Sequence, residues 1–200
     1  MGMCLTLRSV SDKNINLIIS SPPLVWRLIA PDEPEMYIDC INEDNRGFLA
    51  KLFGTKKTTE VTPVPELDFI EGENIEDDLD KSWQGIHYCL NQTEYEAEHP
   101  MDFITLGGKL AGDIDVGYGP ARLINSSTVK EIDAILSETS EELLRDNYNP
   151  IEMDRMDIYP SIWERDGDEG FDYILENFKR LKEFVSSCSK NNLGMALYLC

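Results

Sequence analysis

Trp83 and His87 stand four residues apart in the run Leu79-Asp80-Lys81-Ser82-Trp83-Gln84-Gly85-Ile86-His87-Tyr88-Cys89-Leu90. That spacing puts an indole and an imidazole one turn apart on a helix, with Leu79, Trp83, Ile86 and Leu90 forming its inward stripe. An imidazole titrates near neutrality, so His87 beside an aromatic wall could do acid–base work or hold a ligand. It could equally be a histidine hydrogen-bonded at the edge of a core. A second candidate lies in Gly117-Tyr118-Gly119-Pro120-Ala121-Arg122. Its glycines and proline make it a loop, and its guanidinium could clamp a carboxylate or phosphate through two parallel hydrogen bonds, or pin a neighbouring acid. Ile158-Tyr159-Pro160, followed by Ile162 and Trp163, is an aromatic cluster suited to a packing plug or an interaction patch. Trp83, His87, Tyr118, Arg122 and Tyr159 thus define the candidate pocket, in which His87 would be the acid/base, Arg122 the anion clamp, and Trp83 with Tyr118 the walls.

Other chemistries find little footing. His87 and His99 are the only histidines among 200 residues, and no cysteine pair has zinc-ligand spacing. The Gly117 loop lacks the third glycine of a dinucleotide fingerprint. No Gly-x-Ser-x-Gly elbow occurs. No metal or cofactor is expected, and no catalytic set can be assembled from spacing alone. The five cysteines, Cys4, Cys40, Cys89, Cys188 and Cys200, are odd in number and widely spaced, which fits reduced thiols in the cytoplasm and not a secreted disulfide scaffold.

The net charge of −20 repels nucleic-acid phosphate and anionic lipid. It suits a basic protein partner, and it suits plain solubility. No apolar stretch approaches the roughly 20 residues that cross a bilayer, and the start lacks a secretory signal. Met1-Gly2-Met3-Cys4-Leu5-Thr6 fits a myristoylation pattern formally, but it reads better as the start of a buried strand.

The elements that must position these residues follow from periodicity and caps. Met3–Val10 reads as a strand, and Ser11 caps a helix over Asp12–Ser20, which Pro22-Pro23 ends. Leu24–Ala30 is a short helix, with Pro31 and Pro34 breaking the chain after it. Glu43–Phe53 reads as a helix. Glu66–Asp80 carries eight acids and no Lys or Arg, the composition of a solvated connector. Asp80 would cap the Lys81–Leu90 helix. Pro100–Gly112 holds a turn of helix and a Gly107-Gly108 elbow, and Ala121–Ile124 is a short strand. Ser127 or Thr128 opens a helix to Ser137, and a second capping box follows at Thr139–Glu142. Ile151–Ile158 is helical. In Asp166–Ser187, Phe171, Ile174, Leu175, Phe178, Leu181 and Val185 recur at helical spacing. Met195–Leu199 is a closing strand.

Met1-Gly2-Met3, the Leu79–Tyr88 segment, Leu106-Gly107-Gly108, Gly117–Arg122, Ile158-Tyr159-Pro160 and the helix-plus-strand tail to Leu199 together resemble the bacterial YfbM-like family, a domain of unknown function. The resemblance spans the whole chain loosely and Leu79–Leu199 well. It implies a mixed α/β fold, a compact helix-rich sandwich with a mixed sheet flanked by helices. It brings no assigned activity. Length and composition point to one domain over residues 1–200, interrupted by an acidic connector or insertion near 55–78. Two functions follow as expectations. One is an acidic protein-interaction domain, of the kind immunity proteins exemplify. The other is a small-ligand binder or hydrolase-type enzyme using a His87/Arg122 pocket.

Overall fold

The computed structural model describes residues 2–44 and 64–200. Among these residues five strands form one sheet: β1 (Leu5–Val10), β2 (Glu76–Asp78), β3 (Lys109–Asp115), β4 (Pro120–Ile124) and β5 (Gly194–Leu199), in the order β2-β1-β5-β4-β3. Every pairing is antiparallel. The α/β sandwich is as expected, but its sheet is antiparallel where a mixed one was foreseen. The excursions from β1 to β2 and from β4 to β5 leave and re-enter at the same end of the sheet, so each returning strand runs opposite to its neighbour.

Alternation along the strands feeds two cores. Leu5, Leu7, Ile124, Met195 and Leu197 point to the larger one. It is covered by α4 (Trp83–Asn91), α5 (Ser126–Glu138), α6 (Glu141–Asn147), α7 (Pro150–Arg155), α8 (Trp163–Asp166) and α9 (Asp168–Lys190). Val10, Ala121, Leu123, Ala196 and Tyr198 point to the smaller one, covered by α1 (Asp12–Ser20), α2 (Val25–Ile29) and α3 (Pro34–Asp44). The long helix α9 buries Phe171, Ile174, Leu175, Phe178, Leu181 and Val185, as its periodicity demands, and adds Phe184 and Cys188 to that stripe.

Local chemistry sets the boundaries. Ser11 accepts from Asn14 N at the start of α1, as expected. Pro34 opens α3 where a break was read; proline suits a first helical turn because its missing N–H has no partner to lose there. Of the Glu43–Phe53 helix, the part beyond residue 44 lies outside the described residues. Asn125, not Ser127 or Thr128, caps α5 by accepting from Thr128 N, and Ser140 caps α6. A short 3₁₀ turn, Asp80–Ser82, precedes α4. Asp80 sits there at φ +46 and is not the helix cap.

The acid-rich segment departs furthest from expectation. Over Leu67–Ile70 the chain alternates: Leu67 and Phe69 join the smaller core, while Glu66, Asp68 and Ile70 face solvent. Arg27 Nε donates to Pro65 O and Asn14 Nδ2 to Asp68 O. Glu73 is buried, its Oε1 accepting from Ser11 N at 2.7 Å and Asn14 Nδ2 at 2.6 Å, and its Oε2 from Ile70 N at 3.0 Å. Glu76–Asp78 is the edge strand β2, tied to β1 through the Arg8–Glu76 ion pair. A block that composition assigns to a connector is pinned along most of its length by hydrogen bonds.

Candidate functional site

Helix α4 runs through the interior: every residue from Trp83 to Cys89 is buried. So deep a helix must satisfy its polar side chains internally, and it does so by gripping loops. Gln84 donates from Nε2 to Glu94 O at 3.1 Å and accepts Tyr159 N at Oε1 at 2.8 Å. Gly85 admits Trp163, since a Cβ there would lie 2.6 Å from the indole.

At the start of α4, Trp83 stacks on Tyr159 with ring centroids 6.0 Å apart. Trp83 Nε1 donates to Met3 O at 3.1 Å, and the Tyr159 hydroxyl accepts from Met3 N at 2.8 Å. The two rings therefore clamp the residue ahead of β1. The hydroxyl also explains Gly2, where a Cβ would lie 2.6 Å from it. Beside this clamp, Asp80 takes a hydrogen bond from the Tyr173 hydroxyl at 2.8 Å and one from the Cys4 thiol at 3.3 Å. Burial pushes the Asp80 carboxyl upward, but these two donors together with the Lys81 charge and backbone outweigh it and hold the group below the usual range.

One turn along, His87 is fully buried. Its Nε2 lies 3.3 Å from Thr93 Oγ1. That hydroxyl spends its own proton on Glu96 O, so Nε2 carries the imidazole's hydrogen. Nδ1 then accepts from Asn91 Nδ2 at 3.3 Å. Burial pushes His87 down to about 4, against the opposing pull of the Glu96 carbonyl and the Asp102 carboxylate. The ring is neutral at pH 7, and both nitrogens are engaged.

Arg122 projects from β4 to the same side of the sheet as Ile124. Its Nη1 donates to Phe103 O at 2.6 Å and Gly107 O at 2.7 Å, and its Nη2 to Ile104 O at 2.6 Å. The Phe103 and Ile104 carbonyls belong to the 3₁₀ turn Met101–Ile104, and Gly107 follows it. Burial pushes the guanidinium down to about 10, and Asp102 opposes that shift. Arg122 remains charged at neutral pH with its fork turned onto backbone. Gly107 is needed there, because a Cβ would lie 2.7 Å from Asp102 Oδ1.

The structure thus sorts the candidate residues into separate places. Trp83 and Tyr159 meet at one end of α4. His87 and Arg122 hold the two ends of the Thr93–Gly107 loop, linked electrostatically through Asp102. Tyr118 lies apart, half-exposed in the β3–β4 hairpin, where its N–H donates to Leu199 O at 2.9 Å. Outside the His87 loop runs an open groove of about 670 Å³, lined by Asn91, Thr93, Glu96, His99 and Met101 among others. Among the described residues no group of three or more His, Cys, Asp or Glu is placed to hold a metal ion, and no helix is long and apolar enough to cross a membrane. Sequence reasoning passed over Gln84, Thr93, Asp102 and Glu73. The first three act on backbone groups or at long range, and spacing carries no signal for either. The fourth was one acid among many.

A family model described as "Domain of unknown function (DUF1877)" matches residues 1–198. The chain belongs to this family. The crystal structure of YfbM from Escherichia coli, itself described as a protein of unknown function, superposes with a TM-score of 0.61 at 15% identity, covering 99% of this chain and 100% of that one. That likeness establishes a shared fold. No curated protein matches the sequence. Family membership assigns no reaction, so function must be argued from the geometry.

Proposed function

We propose that this DUF1877 protein works by docking a basic protein partner on the acidic strip around Glu66–Glu76. One observation carries the reading: Ile70 and Ile75, each 53% exposed, stand among exposed Glu66, Asp68, Glu71 and Glu76 on a segment that Glu73 fixes to the fold. Apolar anchors set within charge supply both parts of a docking surface. Charges steer the encounter and select its sign, and aliphatic side chains gain from desolvation once the partner closes over them. The fixed backbone lowers the ordering entropy lost on binding. The net charge of −20 favours a cationic partner. The exposed Asp68–Lys13 pair at 3.0 Å neutralises little of this strip.

Acid–base catalysis at His87 is the weaker reading. An imidazole pushed down to about 4 offers little proton exchange near pH 7, and the Arg122 fork is spent on three carbonyls.

The test compares the wild-type full chain with E66Q/D68N/E71Q and with I70S/I75S as baits in pull-downs. A partner of net positive charge should bind at low salt and elute by roughly 0.5 M, where screening acts over a few ångströms. Both variants should lose it while unfolding at the wild-type midpoint. Equal retention of that partner by both variants would overturn the proposal.

A further inference from the structure

Cys4 and Cys200 come from opposite ends of the sequence, 196 residues apart. The sheet nevertheless sets them directly across from each other. β1 and β5 pair in register from Leu5↔Leu199 to Val10↔Gly194. The ladder runs one step further, because Cys4 N donates to Cys200 O at 2.8 Å and Cys200 N to Cys4 O at 3.0 Å. Two residues that exchange both backbone bonds in an antiparallel ladder have Cα atoms roughly 5.5 Å apart and side chains on one face. That separation lies inside the window of about 4.4–6.8 Å that a disulfide spans. Cys200 Sγ is 3.9 Å from Cys4 O and 3.3 Å from Thr6 Oγ1, and the two thiols interact electrostatically.

We infer that Cys4 and Cys200 are a thiol pair that low-molecular-weight disulfides oxidise to an intramolecular cross-link between the first and last strands. Cys200 is exposed and is the point of entry. Its thiolate attacks one sulfur of the oxidant RSSR and expels RS⁻, leaving a mixed disulfide. Cys4 then attacks the Cys200 sulfur of that bond and expels the second RS⁻. The two thiol protons end on the two leaving thiolates, so two RSH form, RSSR is reduced, and Cys4–Cys200 is oxidised. The Cys4 thiol donates to Asp80 Oδ1 at 3.3 Å, a bond that holds its proton and must break before Cys4 attacks.

Two of the three remaining cysteines are poor rivals by placement. Cys89 and Cys188 are buried, and burial pushes both thiols up to about 12. Burial, with the Asp80 hydrogen bond next, pushes Cys4 up to about 11. Cys200 is the more exposed of the two and the Cys4 thiol is bound to Asp80, so the mixed disulfide forms at Cys200 before the link closes. Closure removes one of the two side-chain donors that hold Asp80 and links chain ends that already share a ladder.

The experiment incubates the reduced full chain with oxidised glutathione, quenches with an alkylating agent under denaturing conditions, and reads intact mass and peptide map over time. A transient glutathione adduct on Cys200 should give way to a Cys4–Cys200 linked peptide, leaving three of the five thiols alkylated. C200S should form neither species. C4S should stop at the adduct, and C40S should behave as wild type. The linked form should unfold at a higher temperature than the reduced form, and dithiothreitol should restore the original midpoint. A glutathione adduct that persists as the end product, a link involving another cysteine, or five alkylated thiols after oxidation would each overturn the inference.

Discussion

Two irregular stretches, Pro65–Ile75 over the smaller core and Thr93–Gly107 beside the larger one, are held by the same device with opposite charge states. In the first, a buried carboxylate, Glu73, collects three N–H donors from α1 and from its own turn. In the second, a neutral imidazole and a guanidinium grip carbonyls and hydroxyls from within the core. The first segment presents acids outward and the second forms a groove wall. The difference teaches that a loop's composition does not decide whether it is ordered. What decides is whether a buried polar group finds enough backbone partners to offset its desolvation.

The comparison breaks most readily at Glu73. E73A leaves the Ser11 and Ile70 N–H groups without an acceptor and Asn14 Nδ2 with Asp68 O alone, and an unsatisfied group costs roughly 1–3 kcal/mol. A loss of about 4 kcal/mol is expected in urea unfolding, with limited proteolysis opening near Glu66–Ile75 before the rest of the fold. If cleavage there is unchanged, Glu73 is not what fixes the strip.

His87 sharpens the other side through pH. Its folded pKa, about 4, lies below the unfolded value of about 6.5. The unfolded chain therefore takes up the proton first. Stability from this group is complete above about pH 6.5 and falls as pH drops toward 4, by roughly 3 kcal/mol in all. Carboxylates add their own acid dependence, so the readout is the difference between wild type and H87N, which should narrow across that window. Parallel curves would mean that His87 titrates normally.

Arg122 comes next. R122M should cost about 2 kcal/mol, because it strips three carbonyls of their donors while keeping the aliphatic stem. R122K should recover part of this, since an ammonium reaches fewer carbonyls than a fork does. Equal loss in the two variants would point to packing and not to hydrogen bonding.

The smallest effect belongs to the exposed acids. E66Q/D68N/E71Q should move stability by no more than about 0.5 kcal/mol while abolishing capture of a cationic partner. Surface charge would then serve binding and the buried carboxylate the fold.

Much of the architecture was legible. The stripe on α9, the Ser11 cap and the inward face of Leu79, Trp83 and Ile86 follow from spacing and from single-residue preferences. β3 escaped notice because it is an edge strand, with exposed Lys109 and Leu110 and a register shift around Gly112, and so lacks clean alternation. The five candidate site residues were found as types, but their distribution was not. Trp83 and Tyr159 meet through Met3, whereas His87 and Arg122 grip opposite ends of one loop.

By itself the sequence determined which faces are apolar, which residues cap helices, and that the surface is strongly negative, because these depend on neighbours within a few positions. Only the tertiary structure decided that Glu73 is buried and Glu71 is not, that the Arg122 fork donates to backbone carbonyls, and that Cys4 lies opposite Cys200. Each of these rests on contacts between segments far apart in the chain, made to backbone groups that every residue carries and that no residue type announces.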